Sequence, residues 1–268
     1  MREMDAPVHE RRYQVGEQGA MTIFRKLRAK ARRESFHPTW LSAIVSPDYI
    51  IRRGLFLAVS QLAPSVSGRV LDFGCGSRPY ESLFSNAAEY VGVDLQATGH
   101  DHIDSKVDVF YDGKTLPFRD ADFDAVVSFE VFEHVFNLPE VLREIHRVTR
   151  ESGYLLISIP FAWNEHEVPY DYARYTSFGI SDLLQKNGYD VVDLRKTTTY
   201  LLATGQIFIA YLTHLAPRAR ILRGLFQILF ICPCTLATLA LNAISPKRYE
   251  YFCNCVVLAQ RQTDPALQ

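Results

Sequence analysis

Residues Val70–Gly76 read VLDFGCG and form the most informative stretch of the chain. A short apolar run that leads into two closely spaced glycines is typical of a buried strand followed by a sharp turn. Glycine also lets the backbone approach a bound ligand closely. The next apolar run, Ala88–Leu95, ends at Asp94, where a carboxylate is suited to binding ribose hydroxyls. Together the two runs predict a nucleotide-type ligand beyond the ends of two strands.

Apolar runs and helical segments alternate on both sides of this stretch. Strands that alternate with helices indicate a parallel sheet with helices on both faces, and ligands then bind beyond the carboxyl ends of the strands. We therefore predict an α/β fold with a doubly wound seven-stranded sheet. The other predicted strands are Val107–Phe110, Phe123–Phe129, Tyr154–Pro160, Asp190–Lys196 and Tyr249–Gln260, and the predicted helices are 47–63, 138–149 and Ser177–Asn187.

Composition excludes several classes of protein. The 268 residues are 48% hydrophobic and 22% charged, as in an ordinary globular protein. A net charge of −1 argues against a nucleic-acid binder driven by bulk positive charge. Five cysteines are too few and odd in number for a disulfide scaffold, and they fit a reducing compartment. Four of them form two C-x-C pairs, which lack the spacing of zinc sites, so no metal is predicted. The N-terminus has no apolar core of the signal-peptide type, so secretion is not expected.

Charge divides the chain into unlike parts. Residues 1–53 carry a net +5, residues 54–196 carry −10, and residues 197–250 carry +4. We predict a basic N-terminal helical arm (1–64), a core (65–196), an apolar insertion (197–248), and a last strand with a tail (249–268). Within the arm, Arg25–Arg33 contains six basic residues in nine. It reads as a basic amphipathic helix, either for a membrane surface or for packing against the acidic middle.

The insertion contains two long apolar stretches. Thr197–Pro217 has 21 residues without a formal charge and Gly224–Pro246 has 23, with three arginines between them. Each is long enough to span a bilayer. In the fold that the motif resemblance described below implies, the strands before and after the insertion belong to one sheet, so the chain would have to return to the side it left. We predict a helical hairpin lying in, or dipping into, one leaflet, with its arginines among anionic headgroups. A dimer interface or a cap over the site is the alternative.

Two cofactor classes compete for the glycine turn. A nicotinamide fingerprint requires a third glycine where this chain has Pro79. Asp72 would repel a pyrophosphate and suits a cationic group such as a sulfonium-bearing methionyl end. A nucleotide-dependent oxidoreductase is therefore disfavoured.

The ordered motifs Val70–Gly76, Val91–Asp94, Leu116–Asp124 and Glu133–Val135 resemble those of class I S-adenosylmethionine-dependent methyltransferases. The resemblance implies a Rossmann-like fold with S-adenosyl-L-methionine as cofactor. It implies that Asp72 and the motif glycines hold the methionyl end, that Asp94 binds the ribose, and that Asp112 contacts the adenine amine. Many members have a glycine where this chain has Arg78. The full predicted cofactor set is Asp72, Gly74, Cys75, Gly76, Asp94, Leu95, Asp112, Gly113, Phe129 and Glu130.

Two segments are candidates for the acceptor side. Glu133-His134 follows the fourth strand, where His134 either acts on the acceptor or orients the next segment. Pro160–Thr176 follows the fifth strand and combines aromatic with ionisable side chains, as a substrate loop or an ordered lid would. A base near the acceptor proton would assist transfer to a hydroxyl. The candidate catalytic residues are His134, His166 and Asp171, and the candidate substrate-binding residues are Glu133, Trp163, Glu167, Tyr170, Arg174 and Tyr175.

The pattern H-x-x-P-x-D-x-x-R-Y-T, which begins at His166, is similar to one in methyltransferases encoded with surface-polysaccharide enzymes. It implies a glycan or lipid-linked glycan acceptor. We expect a peripheral or monotopic enzyme on the cytoplasmic face of an anionic membrane that methylates a hydroxyl of such an amphiphile. The alternatives are a cytoplasmic enzyme for a soluble small molecule, with the insertion as homodimer interface or lid, and a non-catalytic membrane-bound module of the same fold.

Overall fold

The computed structural model describes residues 35–96 and 105–263, and the basic segment Arg25–Arg33 lies outside them. In the described chain, seven strands form one sheet in the order β3-β2-β1-β4-β5-β7-β6. The strands are β1 Gly68–Phe73, β2 Ala87–Leu95, β3 Val109–Tyr111, β4 Phe123–Phe129, β5 Thr149–Pro160, β6 Tyr189–Lys196 and β7 Asn254–Arg261. The principal helices are α1 Ser42–Val45, α2 Tyr49–Leu62, α3 Leu138–Val148, α4 Ser177–Lys186, α5 Tyr200–His214, α6 Arg220–Phe226 and α7 Cys232–Ile244.

The predicted doubly wound sheet is present, but its last strand runs the other way. Strand β7 lies between β5 and β6 and is antiparallel to both. The insertion leaves β6 at its carboxyl end and returns to the same edge, so β7 has to run back across the sheet. Strand β7 also begins at Asn254 rather than at Tyr249. The preceding residues close the base of the insertion, and Cys253 N donates to Thr198 Oγ1 at 2.8 Å.

Helices cover both faces of the sheet. Helix α3 places Leu138, Leu142 and Ile145 on one stripe, because residues three and four apart share a helix face, and packs it with α4 on one side of the sheet. Helix α2 buries Leu55 and Val59 on the other side. Helix α2 falls within the predicted N-terminal arm, yet it forms a layer of the core.

The insertion is a helical hairpin. Helix α5 is followed by a helical segment from Arg220 to Ile244, in which a π-helical stretch, Gln227–Ile231, joins α6 to α7. Hydrogen bonds close the base of the hairpin, since Thr197 N donates to Asn254 O at 2.9 Å and Tyr200 N donates to Arg248 O at 2.7 Å. Both ends therefore lie together at the carboxyl edge of the sheet.

Helix α5 joins the hairpin to the core through a buried amide. Gln206 is fully buried. Its Oε1 accepts from Ile51 N at 3.2 Å and its Nε2 donates to Pro47 O at 2.9 Å. The face of the hairpin that points away from the core is apolar and exposed. The large exposed side chains on it are Phe208, Tyr211, Leu215, Ile221, Leu222, Leu225, Ile228, Leu229, Phe230, Leu236, Leu241 and Ile244.

Candidate active site

A cavity of about 820 Å³ lies at the carboxyl edge of the sheet. Its floor is formed by the ends of β1, β2 and β4 with the turns that follow them, and its walls come from α2 and the loop after β5. This is the position at which open α/β sheets bind ligands. The predicted residues that line it are Asp72, Gly74, Cys75, Gly76, Asp94, Leu95, Phe129, Glu130, His134, Trp163, His166, Glu167 and Tyr170.

The glycine turn is tied to the end of β2. Asp94 Oδ2 accepts a hydrogen bond from Gly76 N at 3.0 Å, and its Oδ1 accepts one from Leu95 N at 2.8 Å. Gly74 and Gly76 both have positive φ angles, of 71° and 47°. A Cβ added at Gly74 would meet Val131 at 2.6 Å, whereas one at Gly76 would meet nothing within 4 Å. The backbone at Gly76 is thus open to a ligand.

Asp72 is a buried carboxylate beneath this turn. It is 3% exposed, and its Oδ2 accepts a hydrogen bond from Tyr90 Oη at 2.8 Å. Burial raises the pKa of Asp72 to about 7, although the Tyr90 hydrogen bond and the Arg78 charge oppose the shift. A cationic group of a ligand would lower that pKa and would be attracted by the ionised carboxylate.

Arg78 takes the backbone conformation of the glycine that it replaces. Its φ is +52°. The guanidinium forms an ion pair with Asp108, and Asp108 Oδ2 also accepts from Gly92 N at 2.9 Å. The departure from the motif is therefore accommodated, because this network holds the left-handed turn against strand β2.

Glu130 is fixed where three strands end. Its Oε1 accepts from Ser158 Oγ at 2.7 Å and its Oε2 from Asn254 Nδ2 at 2.6 Å. Ser158 belongs to β5 and Asn254 to β7. Burial raises the pKa of Glu130, and the Ser158 hydrogen bond partly offsets this.

Glu133, His134 and His166 converge beside the cavity, in the two segments that were predicted for the acceptor side. Glu133 Oε1 lies 3.7 Å from His134 Nε2 and 3.8 Å from His166 Nε2. Burial, followed by the charge of Glu130, raises the pKa of Glu133 well above its ordinary value. Burial and then the charge of His134 lower the pKa of His166. Glu133 does not line the cavity itself but lies behind the two imidazoles.

Asp171 and Arg174 hold the loop after β5 in place. Arg174 forms an ion pair with Asp171, whose Oδ2 also accepts from His166 N at 2.9 Å. The Arg174 hydrogen bond holds the pKa of Asp171 far below its ordinary value. Neither side chain lines the cavity. The Asp171 carboxylate is thus engaged by Arg174 and by the backbone of His166, and its catalytic role stays a prediction.

A family model described as a methyltransferase domain matches residues 48–194. The chain belongs to this family. Its seven-stranded sheet with flanking helices is the Rossmann-like methyltransferase fold. A chain of the solved complex that contains the Haloferax volcanii Trm112 methyltransferase activator shares this fold, with a TM-score of 0.50 and 16% identity over 77% of this chain and 90% of that one.

Two curated relatives are themselves named as methyltransferases. A probable S-adenosylmethionine-dependent methyltransferase of Mycobacterium tuberculosis is 37% identical over 106 residues, which cover 37% of this chain and 39% of the relative. A probable S-adenosylmethionine-dependent methyltransferase of Mycolicibacterium smegmatis is 30% identical over 165 residues, which cover 57% and 64%. The matched segments thus span less than two thirds of either relative. The expected cofactor, S-adenosylmethionine, agrees with both names.

Besides Glu133, Asp171 and Arg174, three further predicted residues of the methyltransferase domain lie outside the cavity wall. Asp112 is exposed, and its Oδ1 accepts from Lys114 N and Thr115 N at 2.9 and 3.2 Å. These hydrogen bonds lower the pKa of Asp112. Gly113 has a φ of +83° and lies behind Leu95. Tyr175 packs against the hydrophobic core, where burial raises its pKa.

The structure also adds residues that the motifs of the methyltransferase domain do not include. Phe36, Asp48, Arg52, Tyr80 and Tyr111 line the cavity. The Arg52 guanidinium lies 4.5 Å from the centre of the Phe36 ring. Burial raises the pKa of Asp48, and Arg52 opposes the shift. Asp48 and Arg52 fall within the helix predicted over 47–63, but the sequence gave no indication of which face of that helix meets the cavity.

Proposed function

We propose that the chain is an S-adenosylmethionine-dependent methyltransferase that methylates a hydroxyl of a lipid-linked sugar or a similar amphiphile at a membrane surface. One observation carries the proposal. A single cavity joins the glycine turn with Asp72 and Asp94 to the histidine pair, and the apolar hairpin adjoins the same edge of the sheet.

The residues at the glycine turn fit S-adenosylmethionine. Asp72 is a buried carboxylate that faces the cavity and suits a cationic methionyl end. Asp94 retains acceptor capacity for ribose hydroxyls beside its two backbone bonds, since a carboxylate offers about four lone-pair sites. The space next to Gly76 admits close approach of a ligand to the backbone. When bound, the cofactor supplies a methyl group already activated on a sulfonium.

The acceptor end would align and deprotonate a hydroxyl. His134 and His166 face the cavity, and Trp163 and Tyr170 give aromatic surfaces against which a sugar or another ring can pack. His134 Nδ1 lies 3.0 Å from Tyr170 O, which fixes the ring. Transfer to oxygen depends mainly on aligning the two reactants, a contribution of roughly 7–11 kcal/mol in well-oriented systems.

The dimensions of the hairpin favour one leaflet over a full crossing. Arg220–Ile244 is 25 residues long, with a most apolar window of mean hydropathy 2.0, and 17% of that window is buried. By length and composition it could cross a membrane, which alone is weak evidence. The other arm, α5, has 15 residues and a length of about 22 Å, less than the ~30 Å hydrocarbon core. Because both ends of the hairpin are clamped together, a single crossing would separate β7 from β6.

Charge at the tip and at the base of the hairpin supports an anionic membrane surface. Arg218 is exposed between the two arms, Arg220 and Arg223 are exposed at the start of the second arm, and Lys247 and Arg248 are exposed at the base. Basic residues that flank an apolar face are attracted to anionic headgroups. The enzyme would then lie on the cytoplasmic face of the membrane.

The test is transfer of a labelled methyl group. The full chain is incubated with methyl-labelled S-adenosylmethionine and native membranes, and the products are partitioned between organic and aqueous phases, with Asp94→Ala as the blank. Label in the organic phase is the expected result. Label only in the aqueous phase would contradict the amphiphilic acceptor and favour a soluble one, with the hairpin as dimer interface or lid. Cofactor binding without transfer in either phase would favour a non-catalytic module.

A further inference from the structure

The carboxylate of Glu133 is buried without a hydrogen-bond donor. The side chain is 0% exposed, and neither oxygen has a hydrogen-bond partner among the described residues. Within the described part of the chain, His134 Nε2 is likewise buried without a hydrogen-bond partner, and it lies 3.7 Å from Glu133 Oε1 and 3.7 Å from Glu167 Oε2. An unpaired buried carboxylate is costly unless a proton or a cation neutralises it. This is the part of the site that the methyl-transfer proposal leaves unexplained.

Both histidines direct the same nitrogen toward Glu133. His134 Nδ1 lies 3.0 Å from the Tyr170 carbonyl oxygen, an acceptor only, so Nδ1 carries the hydrogen. His166 Nδ1 lies 3.2 Å from Asp171 Oδ2 and 3.3 Å from the Asn164 carbonyl oxygen, with Arg174 farther away at 3.5 Å. In the neutral rings the Nε2 lone pairs therefore face Glu133.

This arrangement is the one that metal-ligating histidines adopt. Their second nitrogen usually donates to a carbonyl or a carboxylate, which fixes the tautomer and the ring orientation. Here Tyr170 O serves His134, and Asp171, held by Arg174, serves His166. Two imidazoles and one carboxylate then form a donor set typical of divalent transition metals.

The spacing of the three donors suits one shared ion. One donor atom from each of Glu133, His134 and His166 lies within 4.8 Å of the others. Donors at about 2.1 Å from a metal stand roughly 3–3.4 Å apart. The pairs now at 3.7 and 3.8 Å need to approach by about half an ångström, and the third pair, which lies within 4.8 Å, needs a side-chain shift of up to about 1.5 Å. The His134 Nε2 atom and the Glu133 carboxylate are both buried, so the ion would lie between the imidazoles and Glu133, beside the cavity that the two histidines line.

We infer that Glu133, His134 and His166 bind one divalent transition-metal ion, of the zinc, manganese, cobalt or ferrous class, at the border of the cavity that the two histidines line. Two nitrogen donors in three favour these ions over magnesium and calcium, which prefer all-oxygen sites. This inference replaces the prediction that the chain has no metal site, which considered only the cysteine pairs.

The role of the ion rests on the proposed function, whereas the site itself does not. A metal with open positions binds a hydroxyl oxygen and lowers the pKa of that hydroxyl. The hydroxyl proton would pass to solvent in the cavity, and the acceptor oxygen would be held on the ion in its more nucleophilic form. His134 and His166 would then be ligands rather than bases.

The experiment is a titration of the chelator-treated full chain with Mn²⁺, followed by electron paramagnetic resonance, and with Co²⁺, followed by visible absorption. We expect one equivalent to bind, with at least tenfold weaker binding in Glu133→Gln and in His166→Ala. The matched controls are Glu165→Gln in the same loop and His214→Ala on helix α5, two exposed residues that should leave binding unchanged. Thermal unfolding of each variant establishes that it is folded.

Two outcomes would overturn the inference. The folded chain could fail to bind Mn²⁺, Co²⁺ or Zn²⁺ at millimolar concentration, which would mean that Glu133 is neutralised by a proton. Alternatively, Glu133→Gln and His166→Ala could both bind the ions as well as the parent does. Calorimetry with S-adenosylmethionine separates the metal site from the proposed methyltransferase function. If the chain binds the metal but not the cofactor, the metal site stands and the proposed function fails.

Discussion

The backbone amide of Gly76 donates a hydrogen bond to Asp94 Oδ2 at 3.0 Å, so the glycine turn after β1 and the acid at the end of β2 form one unit. Asp94 therefore has two tasks, to shape the turn and to present a carboxylate to the cavity. Loss of the side chain affects both.

Asp94→Ala should weaken the binding of S-adenosylmethionine at least tenfold, because it removes the ribose acceptor and frees the Gly76 turn. Isothermal titration calorimetry measures the affinity. Asp182→Ala, which removes an exposed carboxylate on α4, serves as control and should bind normally. Equal affinity in Asp94→Ala and in the parent chain would exclude the ribose site at Asp94.

Asp72→Asn should change how stability depends on pH. Asp72 has a pKa of about 7 in the folded chain, raised from an ordinary value near 4. Between these values the folded state binds a proton that the unfolded state releases, so the contribution of Asp72 to the free energy of unfolding falls as pH rises. Relative to the parent, Asp72→Asn should gain stability from pH 4 to pH 7, by about 4 kcal/mol at most.

Urea unfolding of the parent and of Asp72→Asn at several pH values checks this prediction. The difference between the two proteins isolates Asp72 from the other carboxylates. A difference that stays constant from pH 4 to pH 8 would show that Asp72 does not titrate in this window. The same variant should also bind S-adenosylmethionine more weakly, since it lacks the charge that faces the cationic methionyl end.

Asn254→Leu should destabilise the chain and impair the site. It removes the donor to Glu130 Oε2 and leaves a buried acceptor unpaired, at a cost of about 1–3 kcal/mol. Gln260→Leu on the same strand is the control, because Gln260 donates to the exposed Ser152 carbonyl oxygen, and its effect should stay within about 0.5 kcal/mol. Thermal and urea unfolding compare the two variants. Similar losses in both would mean that the Glu130 contact contributes little.

The apolar face of the hairpin should govern association with anionic vesicles. The triple variant Leu225→Ser, Leu229→Ser, Phe230→Ser removes three side chains that are each more than half exposed, so the fold should persist. We expect at least a tenfold loss of partitioning onto vesicles that contain anionic lipid, measured by co-sedimentation. The double variant Phe178→Ser, Val192→Ser, exposed elsewhere, should bind as the parent does.

Two further results together would show that the hairpin mediates self-association. If the triple variant partitions unchanged, the face does not contact lipid. If sedimentation velocity then shows a dimer for the parent and a monomer for the variant, the face is a contact between two copies of the chain.

Local sequence patterns were sufficient to predict most of the strands and helices. The strand at Phe123–Phe129 was predicted with its observed bounds, and Ser177–Asn187 differs from α4 by one residue, because apolar runs and turn residues act over a few positions. The direction of β7 was not predictable in this way, since it depends on where a 50-residue insertion returns. The α2 wall of the cavity and the burial of Glu133 likewise depend on contacts between distant segments.

The position of β7 has a consequence for the order of assembly. It follows the other six strands along the chain, yet it pairs with both β5 and β6 and supplies Asn254 to Glu130. Its pairing with β6 spans the whole hairpin, so it closes a long loop and forms slowly relative to local contacts. A nascent chain therefore holds two open strand edges until β7 has emerged. Glu130 obtains its second hydrogen bond only when the sheet is complete, which couples the finished site to the finished fold.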